Sequence, residues 1–344
     1  MNDNLKSHYF HAEAYALTAR LTTPFEAQLR KQAYVKLEGD SQKVLLEGEE
    51  QKRLKDKKTP DNYFSEHPKP YRFEGLFSYS AAHTQVSGHR SKKIDGAFVT
   101  LATSVVENLN VLNVVTADKV VAQISTTHLP DQYSPKVTFL GTHFENLRIA
   151  NHKTEPVLNL AFAGARPEGK LIYPASGTGL MSSLKEQYRQ MRGKLAEFKS
   201  QLEPEHIARL NAGDSWLSNQ YHEFRDFEAN ELPTIPEEAA EKEAKAANGN
   251  GNKRDSVTCS LVKRLEVGNI KPADDPIVIF PPARSFGHVI QVQDFGTIFL
   301  AELTVKHNSF HLTMIRVELG CIAEGSGSFS TCNVNGGGKG SGGH

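Results

Sequence analysis

The stretch from Asn108 to His128, NLNVLNVVTADKVVAQISTTH, is dense in β-branched residues whose apolar members recur at every second position. Val120, Ala122 and Ile124 fall on one side and Val121, Gln123 and Ser125 on the other, the signature of a strand with one apolar and one mixed face. The more evenly apolar NVLNVV before it suits burial on both faces, and Thr116–Ala117–Asp118 reads as a turn or bulge between two framework strands. No obvious catalytic group stands in this stretch, so its role is to build a sheet.

The rest of the first half follows the same period. In HYFHAEAYALTARL the residues Tyr15, Leu17, Ala19 and Leu21 alternate with smaller or polar ones, and Val137, Phe139, Leu147 and Ile149 repeat at strand spacing with Gly141 marking a bend. TTPFEAQLRKQ suggests a single helical turn leading into a strand. YRFEGLFSYSAAHTQV places Tyr71, Phe73, Phe77 and Tyr79 on one face, which is either sheet core or a stacking platform for a ligand. Residues 38–62 are dense in charge and read as an exposed excursion. Several strands without a long helix predict a mainly β, antiparallel two-sheet β-sandwich, jelly-roll-like, whose first part is residues 1–175.

The middle changes period. Leu184, Tyr188, Met191, Leu195, Phe198 and Leu202 are separated alternately by four and three residues, giving an amphipathic helix that Ser183 and Glu186 would open as a capping box. Residues 180–229 are therefore expected to be an inserted helical hairpin, its apolar stripe packing either on the sandwich or against a second copy of the chain. Residues 230–256 read as a flexible linker. Strands resume over 257–322, where Gly296–Lys306 and Phe310–Leu319 form a hairpin about a turn at His307, Asn308 and Ser309, with Leu303, Val305, Ile315 and Val317 buried. The Gly-rich end, 323–344, is expected to be flexible unless a partner holds it.

Composition narrows the function classes. Forty basic residues balance forty acidic ones, which gives no global field to draw in nucleic acid or an anionic membrane. No apolar run approaches the ~20 residues that span a bilayer, and the start of the chain lacks a secretory signal, so a cytoplasmic location is the default. Three cysteines are too few for a disulfide scaffold, although Cys321 and Cys332 could pair in an oxidising compartment. His307 and His311 are the weak metal candidates, flanking a hairpin turn rather than sharing a helix face. Glu145, Asp118, Asp294 and Glu302 read as sheet-rim carboxylates rather than a glycosidase pair. No nucleophile elbow or nucleotide-binding glycine motif is present, and no cofactor is expected.

AEAYAL, VVTADKVVAQIS, VTFLGTHFENLRIA and GTIFLAELTVKHNSFHLTMIRVELG together resemble a family of uncharacterised bacterial β-rich proteins and, more distantly, the choice-of-anchor domains of bacterial surface proteins. The resemblance implies a β fold and a surface location, and carries no functional residues. The expected function is a non-enzymatic structural or self-assembling β-sandwich, a scaffold, fibre or surface-layer-type subunit. The alternative is a carbohydrate- or small-ligand-binding sandwich, with or without hydrolase activity, for which the face of Tyr71, Phe73, Phe77 and Tyr79 would have to be exposed.

Overall fold

The structure, a computed structural model, describes residues 8–23, 26–40, 62–67, 70–73, 75–129, 132–175, 177–200, 256–267, 283–320 and 324–335. Within them the chain is mainly β and forms two antiparallel sheets with a shared core. The first sheet contains β1 (Tyr9–Thr23), β2 (Ala27–Gln32), β3 (Val35–Asp40), β14 (Ser256–Ser260), β16 (Ala283–Phe286), β17 (Val289–Val292), β18 (Gly296–Lys306), β19 (Ser309–Gly320) and β20 (Glu324–Asn335). The second contains β4 (Asn62–His67), β5 (Tyr71–Phe73), β6 (Phe77–Tyr79), β7 (Ala81–Arg90), β8 (Phe98–Val111), β9 (Val115–His128), β10 (Lys136–Thr138), β11 (His143–Glu145), β12 (Arg148–Ile149), β13 (His152–Leu158) and β15 (Val262–Val267). The expected sandwich is present. Its likeness to a jelly roll stops at the two-sheet architecture, because β17 to β20 and β7 to β9 run as meanders within their own sheets.

The best-patterned stretch folds as its alternation requires, with Val120, Ala122 and Ile124 fully buried and Gln123 on the other face. The turn lies elsewhere than expected. Leu112 and Asn113 both take positive φ, 51° and 58°, and the Val114 amide closes onto the Val111 carbonyl at 2.9 Å, while Thr116 to Asp118 continue β9. Primed hairpin turns need two left-handed residues. Here Asn110 Oδ1 accepts the Asn113 amide at 2.7 Å and helps hold a Leu–Asn pair in that conformation. The segment after Thr23 is also corrected: residues 27–32 are strand β2, with no helical turn among the described residues there.

A line of irregularity crosses the first sheet. Ala301 and Ser330 have φ of 48° and 52°, and the pairing steps over Ala301, Met314, Ser330 and Ala16, which are neighbours on four adjacent strands. Side-chain alternation resets there. Leu17, Ala19 and Leu21 belong to the core, whereas Tyr15 lies with Glu13 on the opposite face, under the Lys31 ammonium at 4.7 Å from its ring.

At this line the two sheets touch through backbone. The Ser330 hydroxyl donates to the Ser104 carbonyl of β8 at 2.9 Å and accepts the Ala122 amide of β9 at 3.1 Å, and Ser104 Oγ donates back to the Tyr15 carbonyl at 2.9 Å. The Cys332 thiol reaches the Ala122 carbonyl at 3.4 Å. Serine and cysteine side chains can span this gap only where the sheets sit closer than the roughly 10 Å that facing sheets usually keep. Ala12, Ala14, Ala102 and Ala122, all fully buried, supply the small side chains such an approach needs.

The Gly-rich end is therefore corrected. Residues 324–335 are not a flexible tail but strand β20, paired with β19 on one side and β1 on the other. Its glycines serve close approach: at Gly325, φ 150°, a Cβ would lie 2.3 Å from the Arg20 carbonyl oxygen. Residues 336–344 lie outside the described residues, as do 41–61 of the charged excursion and 230–255 of the linker.

The insertion is described as one helix, α1 (Gly179–Ser200), and the remainder of the expected hairpin, 201–229, lies outside the described residues. It opens earlier than the Ser183–Glu186 box predicts, because Thr178 Oγ1 accepts the Met181 amide at 3.4 Å as the cap. Leu180, Met181, Leu184 and Met191 are buried, and Gln187 bonds the edge of β14 through both of its amide atoms: Nε2 donates to the Ser260 carbonyl and Oε1 accepts the Ser260 amide, each at 2.9 Å.

Two measurements check these contacts. A chain ending at Ala323 is expected to lose its cooperative fold by circular dichroism and thermal melting, where a dispensable tail would leave both unchanged. Ser330→Ala is expected to lower the urea-derived stability by about 1–3 kcal/mol, since two buried backbone groups lose a partner. A loss below about 0.5 kcal/mol would show that the cross-sheet bonds contribute little.

Candidate functional site

The structure separates the residues the sequence singled out. The hairpin of β5 and β6 does put Tyr71, Phe73, Phe77 and Tyr79 on one face, with Tyr71 and Tyr79 stacked at 5.2 Å. That face points inward: Phe77 and Tyr79 are buried, Phe77 against Phe329 at 5.5 Å, and Tyr71 and Phe73 pack partly buried on the same core. It is core and offers no stacking platform. His307 occupies the tight turn at φ 52°, whereas His311 lies in β19 with its Nε2 3.3 Å from Thr313 Oγ1, and no cluster of three or more His, Cys, Asp or Glu able to hold a metal occurs among the described residues.

The helical stripe is spent on the chain's own fold as far as it is described. Leu184 and Met191 are buried and Tyr188 reaches the Thr258 carbonyl at 3.3 Å, while the side chains of Leu195, Phe198 and Leu202 lie outside the described residues. Cys332 is a free, buried thiol, and Cys321, its expected partner under oxidation, lies outside the described residues. The rim carboxylates are scattered and occupied: Asp118 accepts Asn146 Nδ2 at 2.6 Å, Glu145 meets His143 at 3.1 Å, Glu302 is held by Arg316 at 2.6 and 3.0 Å, and Asp294 sits in a turn at φ 58°.

What the fold does bring together is a group of imidazoles and a guanidinium at one end of the sandwich. Phe98, which opens β8, is in register with His128, which closes β9. His8, just ahead of β1, stacks on Phe98 at 4.9 Å and lies 5.1 Å from the His128 ring, with Arg90 over the other partner of the stack at 5.7 Å from the Phe98 centroid. A cap made by the loop after β9 and the segment before α1 is tied together next to that strand end. Tyr173 donates to the Pro135 carbonyl at 2.7 Å and meets Phe310 edge-on at 4.9 Å, and Ser134 Oγ lies 2.7 Å from the Leu171 carbonyl and 2.9 Å from Asn308 Oδ1 in the hairpin turn.

Arg166, on the same cap, is half-buried, and its charge is felt by both His128 and Tyr173. Burial, with that guanidinium in support, depresses the His128 imidazole below its ordinary range, and burial drives the Tyr173 phenol up to about 12. Two buried nitrogens here have no hydrogen-bond partner, Nδ1 of His128 and an Nη of Arg166, and neither residue is in an ion pair among the described residues.

A third buried imidazole stands apart. His288 precedes β17, and burial, followed by the nearby Arg316 charge, pushes it down to about 4. Arg316 itself stacks on Phe299, 3.6 Å from the ring centroid, and is held by Glu302 and Glu318. None of His8, His128, Arg166 and His288 stands out in the sequence: each is a lone residue without a spaced partner, and chain folding alone stacks His8 on Phe98 beside His128.

These histidines fix the sign of an acid effect. A native imidazole held below its unfolded value takes up no proton where the unfolded chain does, so stability falls as pH drops from about 6.5 towards about 4. For His288 the fall amounts to about 3 kcal/mol at the bottom of that window. His288→Gln is expected to narrow the difference between urea stabilities at pH 7 and pH 4 by an amount of that order. An unchanged difference would show that this imidazole is not buried neutral.

No curated protein and no solved structure matches the chain. A family model described as a domain of unknown function, DUF8256, matches residues 62–306, from β4 through β18, leaving β1 to β3, β19 and β20 to complete the first sheet outside the matched region. With well over half of its length matched, the chain belongs to the DUF8256 family.

Proposed function

We propose that this protein is a non-enzymatic structural β-sandwich, a stiff body that acts by presenting its surface and by associating with copies of itself. The observation that carries the reading is the row of cross-sheet hydrogen bonds at Ser330, Ser104 and Cys332, which commits the polar interior of the sandwich to rigidity. Fluctuating sheets would suit a cleft that opens around substrate; sheets bonded backbone to side chain suit a rigid framework.

The edges indicate what form association takes. Edge strand β2 carries Arg30 and Lys31, and edge strand β15 carries Lys263 and Arg264. Charged edges blunt open-ended strand pairing. Small, closed oligomers therefore fit better than fibres, and because Leu184, Tyr188 and Met191 pack inside their own chain, the described half of the helix supplies no seam. No helix among the described residues is long and apolar enough to cross a membrane.

Light scattering coupled to size-exclusion chromatography, with negative-stain microscopy, reads this directly. A species of defined size above the 38.0 kDa monomer is expected. A clean monomer over a wide concentration range would remove self-association from the proposal, and long fibres would overturn the closed form.

A further inference from the structure

We infer that the outer face of the second sheet, over β7, β8 and β9, is the surface through which two copies of this chain associate. The inference rests on the structural, self-associating reading above and names the surface that reading leaves open.

Strand register fixes which side chains share this face. His83, Gln85, Ser87 and His89 of β7 stand opposite Val105, Thr103, Leu101 and Val99 of β8, and those four stand opposite Val121, Gln123, Ser125 and Thr127 of β9. They alternate with Ala82, Val86, Ala102, Val106, Val120 and Ile124, which are fully buried in the core, so they point away from the first sheet. None of the twelve is an acid, a lysine or an arginine. The outer face of the first sheet is the opposite in kind, with Glu13, Lys36, Glu302, Lys306, Arg316 and Glu318 on it.

The central strand is inverted as well. An antiparallel sheet with one solvated face alternates apolar inside with polar outside. In β8 the inward positions hold the small or polar Thr100, Ala102 and Ser104, while Val99, Leu101 and Val105 lie outward and are half-buried. Across the sandwich β7, β8 and β9 pack on β1, β3, β19 and β20, which is their inner side, whereas α1 packs at β14 and β16. Leu140, 66 % exposed, stands at the margin of the face, where Gly141 lets its loop lie against the Gln123 side chain.

A second copy is the partner this surface fits. An uncharged centre with charge at its rim is the composition of a protein–protein contact, and here Glu107, Lys119 and Glu145 form the row beyond Val105 and Val121 while Lys136 lies beside Thr127. In a two-fold contact the same patch meets itself. A face without acids, lysines and arginines does so without like-charge repulsion, which the first sheet's outer face would incur. Five rows about 6.8 Å apart, the charged row included, on four strands about 4.8 Å apart cover roughly 34 by 19 Å, on the order of 650 Å² from each copy. Two such faces bury on the order of 1,300 Å² together, within the range of specific, stable interfaces.

The test compares the full parent chain with Leu101→Glu, Thr103→Arg and Thr304→Arg by light scattering coupled to size-exclusion chromatography over a range of concentrations, with circular dichroism to check folding. Leu101→Glu and Thr103→Arg are expected to raise the dissociation constant at least about thirtyfold, as the loss of a central interface residue does. Thr304→Arg, on the outer face of the first sheet, is expected to leave it unchanged. A parent that stays monomeric removes self-association itself, and this surface with it. An oligomeric parent matched in size by the folded Leu101→Glu and Thr103→Arg chains overturns this surface alone and leaves self-association standing; an equal loss in Thr304→Arg overturns it too. Should Leu101→Glu fail to fold, Thr103→Arg, which exchanges one polar side chain for another, decides.

Discussion

The hydroxyl of Ser330 holds a position that the rest of the sandwich must accommodate. It sits between a carbonyl of β8 and an amide of β9 while belonging to a strand of the opposite sheet. For that bond to form, the backbones must approach beyond ordinary sheet spacing, which favours alanine and serine along the contact. Ala12, Ala14, Ala102, Ser104 and Ala122 meet the demand, and Gly88 extends it to β7, where a Cβ would lie 2.7 Å from the Phe10 ring. The bulky core, including Phe310, Phe329, Leu17 and Ile315, is fully buried in the same cluster.

Polar groups in the middle of the sandwich are bonded to one another and to backbone, whereas His128, which terminates β9, and His8, which precedes β1, pack their rings with Phe98 at one end.

Much of the framework is legible in the amino-acid pattern. Period two along residues 120–125 and 296–319 marks strands and names the correct inward residues, since a half-buried strand exposes its alternation directly. Three features mislead. Glycine in residues 324–335 reads as freedom when the chain is taken alone, yet at Gly325 it is the absence of a Cβ against the Arg20 carbonyl that matters. A heptad stripe is the same pattern whether it meets its own sheet or another copy, and Leu184 and Met191 meet their own. The Leu112–Asn113 turn lacks the glycine that usually announces it and depends on Asn110 instead. The cluster at the end of the sandwich is the least legible part, because His8, Phe98 and His128 carry no spacing that links them until β1, β8 and β9 pack together.

Local pattern alone makes this chain a mainly β sandwich with an amphipathic helix inserted, because periodicity and turn chemistry are properties that each segment carries without its neighbours. Only the assembled fold places β20 between β1 and β19 to complete the first sheet, turns Phe77 and Tyr79 into core, and gathers His8, Phe98 and His128 at one end. Those outcomes depend largely on contacts between residues far apart in the chain, whose proximity is fixed by the meshing of two sheets and is written in no single stretch of sequence.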